Sequence, residues 1–425
     1  MLSSRHFPCL VPKRILGTRR FSRRQPYSTL NNTSSSPGGY RISKPPAGLP
    51  VSKLITKGII FPVSVRESFK DFSKRHQLGQ LQYDLLSILP FYPEPSRLHS
   101  SEIVQTIIDE STGDYINEFH ISPRSSIKAG HTDKHVVFIH GYGAGLGFFV
   151  KNLQYIAEMR PDWHIHAIDL PGYGCSSRPD FPHNIQFSHY QEIEQWFIDR
   201  LSMWFKKRKL DSSNTMVVAH SMGAYLSCVL NFQHPDFFNH MLLVSPAGIY
   251  HSRKEEVLAA IPSWFQKLWN RNISPFSLVR NSGPFGSTLV SGWTSRRFSK
   301  NNTILTPHEQ KLMHMYTYGI FNAKGSGEYM LNYFLAPGGV PRHSLLNRIQ
   351  NLKCHTTWLY GSHDWMDKLG GFEACRIIRE SSKLSGHPLE AICKIVQDAG
   401  HHIYLDNFEE FNQLVTQEMD RFGKC

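Results

Sequence analysis

The chain has 425 residues and a formal net charge of +13, and 40% of its residues are hydrophobic. No apolar run reaches the roughly 18 residues needed to span a bilayer, which excludes a transmembrane protein and leaves a body that we expect to be soluble or peripheral to a membrane. The seven cysteines are scattered, odd in number and without C-x-x-C spacing, which excludes a disulfide framework and a zinc site.

The positive charge is concentrated at the N-terminus, where residues 1–66 contain twelve Lys or Arg and no Asp or Glu. The rest of the chain carries 35 basic and 34 acidic side chains. Residues 1–30 are rich in Arg and Ser and lack the apolar core of a secretory signal, so they predict a mitochondrial transit peptide. The alternative is a basic arm for nucleic acid or anionic lipid, but the absence of acids favours targeting.

Residues 31–60 are rich in Ser, Asn, Gly and Pro and predict a flexible linker. Beyond them, the pattern predicts a helix over residues 66–89, two strands within 103–121, and a strand over 136–139. Helices over 187–209 and 222–232 then alternate with apolar strands. This alternation predicts an α/β fold with a mainly parallel central sheet, helices on both faces, and functional loops beyond the carboxyl ends of the strands.

The strand over 136–139 is followed by the glycine-rich loop H-G-Y-G-A-G at residues 140–145. Glycines let the main chain approach a substrate closely, so a backbone N–H near Tyr142 or Gly143 could bind an oxyanion. A phosphate-binding loop is the alternative, but the spacing of its glycines and its missing lysine do not fit one.

The β-branched run V-V-A-H at residues 217–220 ends at Ser221, which has small residues two positions away on each side, Ala219 and Gly223. This pattern predicts a nucleophile elbow, a strand-turn-helix that exposes the serine hydroxyl, with the N–H of Met222 as a second oxyanion donor. Ala219 departs mildly from the G-x-S-x-G pattern. A plain strand-to-helix turn is the alternative.

The alternation stops between residues 250 and 348, which predicts a mostly helical cap between core segments at residues 61–249 and 349–425. Residues 250–300 contain eight basic and two acidic side chains among many aromatics. Aromatics settle at the lipid headgroup boundary while cations attract anionic lipid, so we expect lipid contact through this region. The residues are Trp264, Trp269, Trp293, Arg296 and Arg297. Alternatively, the aromatics form the core of the cap.

Two later strands, over residues 355–360 and 392–396, open into loops that carry Asp364 and His401. A serine hydroxyl is a poor nucleophile unless a histidine takes its proton and an acid orients that histidine. The order Ser221, Asp364, His401 therefore predicts a catalytic triad. Asp367 and His402 are the alternative acid and base.

These motifs, together with D-L-P-G-Y-G at residues 169–174, resemble the α/β-hydrolase family. More narrowly, G-W-T-S-R-R-F at 292–298 and S-G-E at 326–328 resemble the branch of fungal mitochondrial cardiolipin-specific deacylases and related animal lipid hydrolases and lipase coactivators. The resemblance implies a serine acyl hydrolase that converts cardiolipin to monolysocardiolipin, peripheral to the mitochondrial inner membrane, with no metal or organic cofactor and no nucleic-acid partner. Coactivators of this branch lack the nucleophile, so Ser221 favours activity.

His401 and Asp406 also have the H-x-x-x-x-D spacing that in this branch is linked to acyl transfer. The interpretation we favour is that His401 is the triad base and Asp406 the N-cap of the last helix. A lysophospholipid acyltransferase and a non-enzymatic lipid- or lipase-binding regulator are the other functions to test. A small-ester hydrolase or peptidase of the same fold would ignore lipid vesicles.

Overall fold

The computed structural model describes residues 63–124, 133–250, 262–298 and 305–422. The predicted transit peptide and linker, residues 1–30 and 31–60, lie outside the described residues. Within the described part, no helix is both long and apolar enough to cross a membrane.

Eight strands form one sheet. They are β1 (His99–Asp109), β2 (Asp114–Pro123), β3 (Lys134–Ile139), β4 (Trp163–Ile168), β5 (Thr215–His220), β6 (His240–Val244), β7 (His355–Gly361) and β8 (Ala391–Val396). The described helices before β7 are α1 (Val65–Lys74), α2 (Leu78–Leu86), α3 (Val150–Met159), α4 (Tyr190–Arg208), α5 (Met222–Gln233), α6 (Ser263–Trp269), α7 (Phe276–Asn281), α8 (Gly286–Phe298), α9 (Pro307–Asn322) and α10 (Leu331–Phe334). After β7 come α11 (Lys368–Leu384), α12 (Ile403–Asp406) and α13 (Phe408–Phe422).

The strand order is β1-β2-β4-β3-β5-β6-β7-β8. The pairs β1–β2 and β2–β4 are antiparallel, and every other neighbouring pair is parallel. The prediction of an α/β fold with a mainly parallel sheet is confirmed.

Side chains alternate along the central strands and build two apolar cores. In β3, Val137 and Ile139 join the core of α4, α5 and α11, whereas Val136 and Phe138 join the core of α2, α3 and α13. Successive residues of a strand point to opposite faces, so a strand buried on both faces is apolar throughout. This is why β3 is read easily from sequence.

The prediction of one continuous helix over residues 66–89 is wrong. The structure has two helices there, because a turn separates α1 from α2. The helices pack against different partners, α1 against α8 and α2 against α9. Ser64 starts α1 with a capping box, in which its hydroxyl accepts from the Glu67 N–H and the Glu67 carboxylate accepts from the Ser64 N–H.

Between β6 and β7, which pair in parallel, the chain leaves the sheet and forms α6 to α10. Several contacts tie this stretch to the core, and two of them involve the S-G-E motif. A Cβ at Gly172 would lie 2.3 Å from the Gly327 nitrogen, so the D-L-P-G-Y-G loop and the S-G-E motif meet glycine to glycine. The Ser326 hydroxyl also donates to the Pro179 carbonyl at 2.5 Å.

Candidate active site

Ser221, Asp364 and His401 follow the carboxyl ends of β5, β7 and β8, and the structure brings them together. The His401 Nε2 lies 3.0 Å from the Ser221 Oγ, and its Nδ1 lies 3.2 Å from the Asp364 Oδ1. Because a carboxylate can only accept, the matching tautomer carries its proton on Nδ1 and accepts the serine hydroxyl at Nε2. The three groups form one hydrogen-bonded chain from carboxylate to hydroxyl.

Ser221 occupies a strained turn between β5 and α5, with φ 51° and ψ −110°. The turn is so tight that a Cβ at Gly223 would lie 2.4 Å from the His140 carbonyl oxygen. The Ser221 N–H donates to the Val244 carbonyl at 2.9 Å, which fixes the turn against β6. This geometry is that of a nucleophile elbow.

Asp364, and not Asp367, is the carboxylate that reaches His401. The Asp367 Oδ1 instead accepts from the Gly370 N–H at 3.0 Å and caps α11. Burial alone would raise the pKa of Asp364, but the hydrogen bond and positive charge of His401 outweigh it and hold this pKa below its usual value. Asp364 is therefore a carboxylate at neutral pH.

His402, the alternative base, does not contact Ser221. Its ring lies 4.8 Å from that of His220 and 5.6 Å from that of Tyr404, centroid to centroid. Burial lowers the pKa of His402 well below its usual value, and the charge of Arg297 lowers it further. His402 is thus a neutral imidazole in the wall behind His401.

Side chains from three positions hold the loop that carries His401, and one of them is Asn407, whose Nδ2–H donates to the Gln397 carbonyl at 3.0 Å. The His220 Nε2–H donates to the His401 carbonyl at 2.9 Å, and the Asp406 Oδ2 accepts from the Gly400 N–H at 2.8 Å. The expectation that Asp406 caps the last helix is wrong. Asn407 has that role, since its Oδ1 accepts from the Glu410 N–H at 3.2 Å and α13 begins at Phe408.

The predicted oxyanion loop lies directly over Ser221. A Cβ at Gly141 would lie 2.6 Å from the His220 Nδ1 and 3.0 Å from the Ser221 Cβ, so there is no room for a side chain between this loop and β5. Gly143 has φ 67°, in the left-handed region, and Met222 opens α5 with its N–H in the first turn. Tyr142 and Met222 line the same cavity as Ser221, whereas a Cβ at Gly143 would face the Phe276 ring at 3.0 Å.

Asp169, from the D-L-P-G-Y-G motif, anchors this loop from below. Its buried carboxylate accepts from the Leu146 N–H at 2.7 Å, the Cys175 N–H at 2.8 Å and the Asn117 side chain at 2.8 Å. The motif thus joins the loop after β3 to the loop after β4.

Ser221 and His401 open into a cavity of about 190 Å³ with mostly apolar walls. Tyr142, Met222, Tyr225 and Ala247 line it from the core, and Trp365 and Met366 from the segment before α11. The stretch from α6 to α10, between β6 and β7, is called the cap below, and it contributes Met330, Leu331, Phe334 and Leu335. Sequence reasoning missed these four, although an apolar run directly after S-G-E was the available signal.

The residues predicted to contact lipid separate into two groups. Trp264 is exposed on α6. Trp269 is half-buried and donates its indole N–H to the Leu335 carbonyl at 3.1 Å. Trp293 packs on Phe321 with ring centroids 5.6 Å apart, and the Arg297 guanidinium lies 5.6 Å from the Trp293 ring. The alternative, that the aromatics form the core of the cap, describes Trp269 and Trp293. The Arg296 side chain lies outside the described residues.

Over residues 63–124, 133–250, 262–298 and 305–422, no three His, Cys, Asp or Glu side chains are grouped as a metal site requires. Cys175, Cys228, Cys354, Cys375 and Cys393 are free thiols.

The sequence matches the family model described as alpha/beta hydrolase fold over residues 134–408. It is 36% identical over 296 residues to a 1-acylglycerol-3-phosphate O-acyltransferase of Arabidopsis thaliana, covering 68% of this chain and 66% of that relative. It is 25% identical over 293 residues to a (lyso)-N-acylphosphatidylethanolamine lipase of Homo sapiens, covering 67% of this chain and 79% of the relative. The match thus spans about two thirds of the length of the plant relative.

Among solved structures, the carboxylesterase CesB of Bacillus subtilis superimposes with a TM-score of 0.51 at 13% identity, covering 81% of this chain and 97% of that one. This likeness is one of fold. Together with the family match over residues 134–408, it leads to one conclusion: the chain belongs to the α/β-hydrolase fold family.

Proposed function

We propose that the chain is a serine acyl hydrolase that removes a fatty acyl chain from a mitochondrial phospholipid, with cardiolipin as the substrate. The observation that carries the proposal is the hydrogen-bonded chain Asp364–His401–Ser221 at the floor of an apolar cavity. An apolar cavity accepts a fatty acyl chain, and the triad acts on the ester at the end of that chain.

In the first half of the reaction, the Ser221 Oγ attacks the ester carbonyl while the His401 Nε2 takes the hydroxyl proton. Asp364 stabilises the imidazolium, and the N–H groups of Met222 and of the Tyr142 to Gly143 segment bind the oxyanion. The C–O bond to the lysolipid breaks, and His401 returns the proton to the leaving oxygen. In the second half, water attacks the acyl-enzyme by the same route and releases the fatty acid.

The substrate identity is supported by the sequence resemblance, and the mitochondrial location by the basic, acid-free N-terminus. Cardiolipin as the proposed substrate also implies peripheral contact with a membrane that contains it. We propose that the protein acts on cardiolipin at the inner membrane, from the matrix side.

Acyl transfer to a lysophospholipid is the second candidate. The plant relative is called a 1-acylglycerol-3-phosphate O-acyltransferase, and so is a relative from Saccharomyces cerevisiae that is 25% identical to this chain over 362 residues. These two names favour transfer. The chemistry differs in the second half only, where the acceptor hydroxyl replaces water as the group that attacks the acyl-enzyme. Both candidates therefore require Ser221.

The test incubates the purified chain with cardiolipin vesicles carrying labelled acyl chains, with and without 1-acylglycerol-3-phosphate. We expect release of labelled fatty acid and monolysocardiolipin. If the label is found mainly in phosphatidic acid, the protein is an acyltransferase and not a hydrolase. Ser221→Ala is the matched control and should abolish both products and labelling by a fluorophosphonate probe. A wild-type protein that neither forms product nor reacts with the probe would contradict both enzymatic candidates and leave the regulator.

A further inference from the structure

The start of α11 presents an apolar surface beside the mouth of the cavity. Trp365, which lines the cavity, is 49% exposed, Leu369 is 65% exposed and Phe372 is 47% exposed. Leu369 and Phe372 are three residues apart in a helix and so lie on one face. The Trp365 ring lies 5.1 Å from that of His401, which makes this surface continuous with the catalytic histidine.

A second apolar surface lies on α6. Trp264 is 66% exposed and Leu268 is 41% exposed, and their spacing of four places them on one face of the helix. Trp269, from the last turn of α6, donates to the Leu335 carbonyl, and Leu335 is itself a wall of the cavity. The helix is therefore fixed to the cavity wall by its inner side.

The two surfaces meet at the segment between them. A Cβ at Gly339 would lie 2.4 Å from the Trp365 ring, and the turn Pro337–Gly339 contacts α6. Trp264, Leu268, Trp365, Leu369 and Phe372, called the apolar rim below, thus lie on two elements that are joined through this turn and that each adjoin a residue of the cavity wall, Leu335 or Trp365. Large exposed apolar groups that surround the entrance to a site are typical of an interaction surface.

The charges near the apolar rim indicate what it contacts. Lys267 and Arg271 are exposed beside Trp264 and Leu268. Glu373, next to Phe372, is paired with Arg376. An apolar surface with exposed cations beside it complements a bilayer that contains anionic phospholipid, whose acyl chains accept the apolar groups and whose headgroups attract the cations.

We infer that the apolar rim is the surface by which the protein docks on an anionic phospholipid bilayer, so that an acyl chain enters the cavity directly from the membrane. The inference rests on the proposed function for its partner, a bilayer phospholipid. It differs from the sequence prediction in its residues, since Trp269 and Trp293 pack on other residues of the protein, and Trp365 with Leu369 and Phe372 of α11 supplies three of the five rim residues.

The test compares the full chain with two double variants, L369S/F372S and W264S/L268S, neither of which alters a catalytic group. The control is L384S, because Leu384 is 90% exposed at the opposite end of α11. Binding is measured by co-sedimentation with vesicles of phosphatidylcholine and cardiolipin, which supply both an anionic surface and the proposed substrate. Esterase activity is measured on vesicle lipid and on the soluble ester p-nitrophenyl butyrate.

We expect each double variant to bind vesicles about tenfold more weakly or worse, and to lose vesicle hydrolysis in proportion. Hydrolysis of the soluble ester should stay unchanged, and L384S should behave as wild type. Unchanged vesicle binding in both double variants would overturn the inference, as would an equal loss in L384S. If the wild type is a dimer and the double variants are monomers, the apolar rim is the contact with a second copy of the chain, and the inference of membrane docking is wrong.

The same data separate this inference from the proposed function. If the wild type hydrolyses no ester but binds vesicles through the apolar rim, the docking surface stands and the hydrolase proposal falls. If the soluble ester is hydrolysed and the double variants still bind vesicles, the hydrolase proposal stands and the docking surface falls.

Discussion

Two aspartates three residues apart have different tasks, and one substitution at each separates them. We expect Asp364→Asn to lower kcat about a thousandfold or more, because an amide that faces the His401 Nδ1 favours the wrong tautomer. The measurement is steady-state kinetics on a soluble ester, with circular dichroism to show that the fold is intact.

Asp367→Asn is the matched control. Asparagine caps a helix about as well as aspartate, so α11 should keep its stability and kcat should stay within about twofold. Equal losses of kcat at both positions would contradict the assignment of Asp364 as the acid.

At this scale the sequence is informative where a residue type and a strand end coincide. Ser221 is marked by Ala219 and Gly223, since only small residues fit the turn. The choice between Asp364 and Asp367 could not be made from sequence, because both follow β7 and depend on where α11 begins. That start is set by packing in three dimensions.

Among the elements, the loop between β8 and α12 is held from behind by Asp406. We expect Asp406→Ala to lower kcat about tenfold, because the Gly400 N–H loses its acceptor and His401 is held less firmly. If Asp406 acts by position, hydrolysis and any acyl transfer should fall by the same factor. Product analysis with and without a lysophospholipid acceptor measures both.

Asn407→Ala is the neighbouring control. It removes the cap of α13 and the hydrogen bond to the Gln397 carbonyl, and should cost about 1 kcal/mol in the free energy of unfolding. We expect kcat to fall less than in Asp406→Ala, because Gln397 lies four residues before His401. Selective loss of transfer in Asp406→Ala, with hydrolysis retained, would show that Asp406 has a chemical part in transfer.

Two parts of the cap are joined by a buried ion pair between Arg280 of α7 and Glu328 of the S-G-E motif. We expect Arg280→Met to lower the free energy of unfolding by about 3–5 kcal/mol, because Glu328 would be left buried and unpaired. Urea unfolding measures the change.

Arg376 of α11 is the control, since it pairs with Glu373 and Glu380 at the surface. Arg376→Met should change the free energy of unfolding by less than about 1 kcal/mol. A loss at Arg280 as small as that at Arg376 would contradict the structural importance of the buried pair.

The cap is also where sequence reasoning is weakest. The helical spacing of its aromatics shows that one face is apolar, but not whether that face meets solvent, lipid or another helix. Trp264 and Trp269 lie five residues apart on the same short helix but differ in environment. Trp264 is exposed, whereas Trp269 donates a hydrogen bond to the Leu335 carbonyl. Only the packing of α6 on the cavity wall decides between them.

For the whole molecule, alternation of apolar strands with helices was enough to predict the parallel sheet. The strand order was not predictable, because β3 lies between β4 and β5 in the sheet, a crossover that no local pattern encodes. The two antiparallel pairs at one edge likewise depend on which strands meet, and not on their own sequences.

Four histidines cluster on the sheet, His120 of β2, His135 of β3, and His164 and His166 of β4. The His120 Nε2 lies 3.1 Å from the His164 Nδ1, and the His135 Nδ1 lies 3.0 Å from the His166 Nε2. Burial first, and the charge of His166 second, lower the pKa of both His120 and His135 to about 3 from 6.5.

The unfolded chain therefore binds more protons than the folded chain between pH 6.5 and pH 3. The contribution of these two histidines to the free energy of unfolding is fully present above pH 6.5. It is lost as the pH falls through this window, by at most about 1.4 kcal/mol per pH unit for each histidine. Urea unfolding at pH 7.5, 6.0 and 5.0 should show this decline.

His135→Gln should flatten that decline, whereas His387→Gln, at an exposed position, should leave it unchanged. A free energy of unfolding that is constant from pH 7.5 to 5.0 would contradict the buried, neutral state of the cluster.

The parallel pairing of β6 with β7 has a further consequence, because the cap is inserted between these two strands. A single cut in the cap would leave Ser221 on one fragment and Asp364 with His401 on the other. Five residue pairs of the β6–β7 ladder, and cores shared by both fragments, would still join them. We therefore expect the two halves, expressed as separate polypeptides, to assemble into one particle by size-exclusion chromatography. If they do, the arrangement of Ser221, Asp364 and His401 depends on the sheet and not on an unbroken chain across the cap.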